Sequence, residues 1–131
     1  MSTRDTPRRA SPARRAAAES IGEAARRFPD LAPTTVGTAG LTGPDRALAV
    51  AIHRSTLQRW LSLRWLLDRH VRQGFDRLEP AVKAALLTGA AQVVLMPGIP
   101  DHAAVDESVA VAWHLGAGRA SGLVNAVLRR L

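Results

Sequence analysis

Between Ala81 and Met96 the chain is apolar almost without a break, and only Lys83, Thr88 and Gln92 are strongly polar. Glu79-Pro80 opens the stretch, and Pro97, Gly98 and Pro100 close it. It is shorter than the ~20 residues that cross a bilayer. A helix that is apolar nearly all round belongs at the centre of a domain, because no face of it tolerates water. Gly89, Ala90 and Ala91 let neighbouring backbones approach it closely.

Both flanks supply partners of the same kind. Downstream, residues 99–131 read as two helices joined by a glycine turn. Asp101 is placed to cap the first, since its carboxylate accepts bonds from free N–H groups of the first turn. Val105, Val109, Ala112 and Trp113 share a face at spacings of three and four. Gly116 and Gly118 stop that helix, as glycine takes left-handed backbone angles without penalty. Leu123, Val124, Val127, Leu128 and Leu131 form the stripe of the last helix. Asn125 lies among them and reads as a buried amide, bonded to a loop and fixing how that helix docks.

Upstream, Ser11-Pro12 pairs an N-cap with proline at the first helical position. The helix that follows carries Ala16, Ala17, Ile21, Ala24, Ala25 and Phe28 and ends before Pro29. Residues 29–44 hold three prolines and three glycines without periodicity and read as a long loop. Two helices are expected over 45–60 and 62–73, with Ser62 as a cap between them. Residues 1–10 are expected to be a disordered basic arm, leaving 11–131 as one domain. No run alternates over a strand's length except where a helix explains it better, so the fold class is all-α, with about six helices in two bundles.

Charge narrows the partners. The net charge is +7, and every basic residue among the 18 except Lys83 is arginine. Residues 84–128 contain one basic residue, Arg119, whereas residues 1–27 and 46–83 are arginine-dense. A basic face on the N-terminal bundle, turned toward an anionic partner, is the expectation. The chain has no cysteine, which excludes disulfides, thiolate metal sites and a cysteine nucleophile. No signal core or membrane span is legible, so a cytoplasmic location is expected.

Other chemistry fails on geometry. His102 and Asp106 are four apart, but one histidine and one carboxylate are too few ligands for a metal. Asp106 and Glu107 are adjacent and diverge on a helix, so they form no acid–base pair; one is expected in solvent and the other in a structural bond. The glycines of Gly116–Gly122 follow a helix rather than a strand, and the third is one place late for a dinucleotide loop. Free N–H groups at that helix start, beside Arg119, leave the option of one phosphate. Trp60 and Trp113 read as core, and Trp65 as exposed beside Arg64 and Arg69. No catalytic residue, metal or cofactor is expected.

The segments Ile99-Pro100, His102-Ala-Ala-Val-Asp-Glu-Ser-Val109 and Leu123-Val-Asn-Ala-Val-Leu-Arg-Arg130 resemble the C-terminal part of the NusB-like RNA-binding domain. They are most similar to the version at the front of bacterial rRNA cytosine methyltransferases. The resemblance implies a double three-helix bundle that binds RNA through an arginine-rich N-terminal helix and neighbouring loops. The matching residues here are Arg8, Arg9, Arg14, Arg15 and Arg46, with Arg119 as a further phosphate contact from the glycine turn. It implies two contexts: transcription antitermination on a transcript leader with a ribosomal protein, or docking of rRNA for a methyltransferase catalytic domain. The chain stops where that catalytic domain would begin and lacks the cysteine the methylation needs. It is therefore expected to be a non-catalytic homologue or N-terminal module. A protein-interaction scaffold is the rival expectation.

Overall fold

The computed structural model describes residues 9–31 and 35–131. Among them all regular structure is helical: α1 (Pro12–Arg27), α2 (Gly43–Gln58), α3 (Trp60–Asp68), α4 (Pro80–Leu95), α5 (Asp101–His114) and α6 (Ser121–Leu128), with 3-10 turns at Phe75–Arg77 and Gly118–Ala120. Helices α4, α5 and α6 pack on one another, α1 and α2 pack on each other and on α4, and α3 rests mainly on α4.

The stretch that is apolar all round is α4, and it packs against each of the other five helices. Residues 84–92 are all buried. Its buried side-chain donors turn back on their own helix. Thr88 Oγ1 donates to the Ala84 carbonyl at 2.8 Å, and Gln92 Nε2 to the Thr88 carbonyl at 3.0 Å. Gly89 lets α5 and α6 approach closely: a Cβ there would lie 2.5 Å from Ser108 Oγ and 2.6 Å from Leu128 Cδ1.

Two contacts for each of three helix pairs fix the helix directions. Ser20 Oγ meets His53 Nδ1 at 2.7 Å, and Phe28 stacks on Trp60 with centroids 5.9 Å apart. Both pairs are offset by about the same number of residues, so α1 and α2 run parallel, and the same offset sets Ala13 opposite Arg46. Arg14 bonds Gln92, and Gly22 faces Ala84, so α4 runs antiparallel to α1. Ser11 bonds Glu107, and His114 bonds Glu19, so α5 is parallel to α1. One end of the domain thus gathers the start of α1, α2 and α5 with the end of α4. The other end gathers the end of α1 and the start of α4.

Several boundaries differ from the sequence expectation. Ser11 does cap α1, its Oγ accepting from the Arg14 N–H at 3.4 Å. Ala10, assigned to the arm, is 2% exposed and part of the core. The α2–α3 break falls at Arg59, and Ser62 lies inside α3. That helix ends at Asp68, whose Oδ1 accepts the Phe75 N–H at 2.8 Å. Asp101 is not a cap: Pro100 holds the cap position in extended backbone, and Asp101 is the first helical residue, where its charge suits the helix dipole. Gly116 has the left-handed φ of 81° that ends α5, and Ala117 N–H closes the turn on the Ala112 carbonyl at 2.8 Å. Gly118 serves differently. It has no positive φ, and a Cβ there would run into the Trp113 ring. Trp113 rests on it and is 46% exposed, a surface residue rather than the core one expected.

Candidate nucleic-acid interface

The parallel packing of α1 and α2 determines which arginines share a surface. Arg9 precedes α1, Arg15 lies in its first turns, and Arg46 is in the first turn of α2. All three fall at the same end of the domain. Arg9 and Arg46 are exposed and Arg15 half-buried. No carboxylate pairs with any of them among the described residues. An arginine outside any ion pair keeps its donors for an external anion. Arg8, also expected here, lies outside the described residues.

Arg14 departs from the expectation. Its side chain is 13% exposed and points into the seam between α1, α4 and α5. Nε donates to Gln92 Oε1 at 2.7 Å, and Nη1 to Ser11 Oγ at 3.3 Å. Glu107 Oε1 lies 3.6 Å from Nη1 and accepts the Ser11 N–H at 2.8 Å. The reason is position: Arg14 follows Ala13 and precedes Ala17, both fully buried, so its Cβ leans toward the core, and a buried guanidinium needs acceptors. Gln92 and Glu107 supply them. Gln92 was the missed residue, while Glu107 is the member of the Asp106–Glu107 pair that holds the expected structural bond. The available signal was a lone amide in an apolar helix, which must find a partner when buried. Asp106, by contrast, is exposed.

Arg119 is also not part of the basic end. It pairs with Glu79 at the start of α4, about one helix length away from Arg46, or roughly 24 Å at 1.5 Å per residue. The glycine turn therefore adds no cation to the Arg9–Arg15–Arg46 face. Asn125 is half-buried and its Oδ1 accepts from Arg129 Nε at 2.9 Å. That is a bond along one helix, not the buried link to a loop expected of it. No cluster of His, Asp and Glu is arranged to hold a metal among the described residues. No helix is long and apolar enough to cross a membrane there either.

A second basic concavity was not foreseen. Arg69, His70, Arg72 and Gln73, at and after the end of α3, face Leu123, Ala126, Val127 and Arg130 of the α6 region across a groove of about 400 Å³. Sequence separation hid it, since Arg130 lies far along the chain from Arg69. A more apolar cleft of about 580 Å³ lies between residues 35–38 and α2, lined by Val36, Val50, Leu57, His53 and Arg54.

The fold defines an all-helical domain of six helices built around α4. The chain belongs to the NusB family, whose model matches residues 11–131. It is 38% identical over 104 residues to the ribosomal RNA small subunit methyltransferase B of Xanthomonas campestris pv. campestris. That alignment covers 76% of this chain but only 23% of the relative, so the chain spans about a quarter of the relative's length. A chain in the crystal structure of a plectonemic RNA supercoil has the same fold. Its TM-score is 0.71, over 92% of this chain and 94% of that one, at 16% identity.

Proposed function

We propose that this NusB-family domain is a non-catalytic RNA-docking module and that its RNA is ribosomal. The observation that carries the reading is the end of the domain that gathers Arg9, Arg15 and Arg46, none of them in an ion pair among the described residues. Guanidinium groups in that setting bind phosphate oxygens in forked pairs and position a strand without reading its sequence. The kinship with an rRNA methyltransferase favours rRNA over a transcript leader. In this reading a catalytic domain, on the same chain or another, performs the chemistry while this module holds substrate.

The test compares the parent chain and two variants by anisotropy with a labelled small-subunit rRNA fragment. The triple variant Arg9→Gln, Arg15→Gln, Arg46→Gln is expected to lose most of its affinity while melting like the parent. Arg26→Gln with Arg27→Gln, at the other end, is expected to bind normally. Equal affinity in all three would overturn the reading. A ribosomal protein as partner, the antitermination alternative, would instead appear as protein recovered in a pull-down after nuclease treatment.

A further inference from the structure

We propose that the groove between the end of α3 and α6 is a second contact for single-stranded RNA, separate from the Arg9–Arg15–Arg46 face. In it, phosphates lie against Arg69, Arg72 and Arg130, and one base stacks on Trp65. The proposal rests on the RNA-docking reading and extends it to a new surface.

Four observations converge on it. The groove is lined by three arginines and by no carboxylate. The nearest acid in sequence, Asp68, is engaged by the Phe75 N–H. Arg72 and Arg130 have no ion-pair partner among the described residues. Trp65 is 62% exposed, and Arg69, which lines the groove, lies over its ring with the guanidinium carbon 4.9 Å from the centroid. Arg69 therefore joins the aromatic face to the cationic channel.

An exposed indole costs hydration free energy unless something covers it, and burial is the default for so large an apolar ring. Leu61, one turn earlier on α3, is 64% exposed as well. A partner that supplies both a flat apolar face and a negative charge matches this surface. A single-stranded polynucleotide does so at every residue, through base and phosphate. Arginine stacked on tryptophan presents a flat cation beside that ring, and either plane accepts a base. The groove's apolar floor of Leu123, Ala126 and Val127 has low polarity, which strengthens arginine–phosphate attraction relative to open solvent. The polar Gln73 and His70 on the rim can bond to sugar or phosphate oxygens. An acidic protein segment matches the charge but leaves Trp65 and Leu61 unexplained.

The test uses the full chain carrying Trp113→Phe. Trp60 is buried, at 2% exposed, so ligand-dependent quenching reports Trp65. The probe is a short unstructured RNA of repeating CAA, with poly-glutamate as a control polyanion. RNA is expected to quench Trp65 emission, and poly-glutamate to leave it nearly unchanged. Trp65→Ala is expected to weaken RNA binding roughly five-fold or more, as loss of one stacked base does. The triple variant Arg69→Gln, Arg72→Gln, Arg130→Gln is expected to flatten the log K against log salt slope by about 2, at ~0.7 per phosphate lost. All four positions are exposed, so melting temperatures should hold and confirm folding. RNA that binds the parent chain but neither quenches Trp65 nor responds to the groove variants would overturn the groove while leaving the RNA-docking reading intact. Quenching by poly-glutamate equal to that by RNA would overturn it in favour of an acidic protein. No binding of RNA by the parent chain would fell both.

Discussion

Replacing Glu107 by Ala removes the acceptor that joins α5 to the start of α1. Its Oε1 holds the Ser11 N–H at 2.8 Å and lies 3.6 Å from Arg14 Nη1, and both charged side chains are 13% exposed or less. The variant leaves a backbone donor and a guanidinium in the seam with fewer acceptors. A bond to a charged group contributes ~1.5–3 kcal/mol, and breaking a buried pair from one side costs ~3–5 kcal/mol. Arg14 retains Gln92 and Ser11 Oγ, so the lower part of that range applies, about 3 kcal/mol. A domain of 131 residues has an unfolding entropy near 0.28 kcal/mol/K, so the melting temperature should fall by about 11 °C. Glu107→Gln keeps an oxygen for Ser11 N–H and loses only the charge, so it should fall by roughly half as much. Calorimetric melting of the three proteins side by side checks this. A Glu107→Ala protein that melts within 2 °C of the parent would refute the claim that this network anchors α1.

Further outcomes follow from the packing and the surface pairs. Gly89→Ala should lower stability by about 1–3 kcal/mol, because the added Cβ meets Ser108 and Leu128; urea unfolding measures it, and Ser108→Gly in the same chain should recover part of the loss. The Asp76 carboxyl is held below its ordinary value of 3.8 first by its hydrogen bond to Arg64 and then by that residue's charge. A depressed carboxyl stabilises the fold above its unfolded pKa, and the contribution is lost as pH falls through the folded one. The pair is largely in solvent, so Asp76→Asn should cost less than about 1 kcal/mol, or up to about 4 °C, at neutral pH. That gap should close once the pH is taken well below 3.8, which melting curves at several pH values would follow.

The helical class, the central place of α4 and the breaks at Pro29 and Gly116 were legible in the sequence because each rests on local chemistry. Periodicity, proline and glycine act within a turn or two of where they stand. The candidate interface was legible only in part. Counting arginines found the region but not the side each one faces. Arg14 and Arg15 are neighbours in sequence, yet one is drawn into the core by Gln92 and Glu107 and the other is not. That difference depends on residues about 80 to 90 positions away. Arg119 and Arg46 looked equivalent as cations, and only the antiparallel course of α4 reveals that they occupy opposite ends. The Arg69–Arg130 groove was hidden for the same reason, since its two walls come from segments far apart in the sequence. Trp113 misled because its spacing fits the apolar face of α5, whereas Gly118 draws its ring out onto the glycine turn.

The central claim is that this fold's unpaired arginines neutralise the phosphates of a single RNA strand. The most direct measurement is the salt dependence of binding to an unstructured RNA. With about five phosphates neutralised, log K should fall against log salt with a slope near −3.5, and the slope should become shallower in the Arg9, Arg15, Arg46 glutamine variant. A slope near zero, or one identical in parent and variant, would contradict the account.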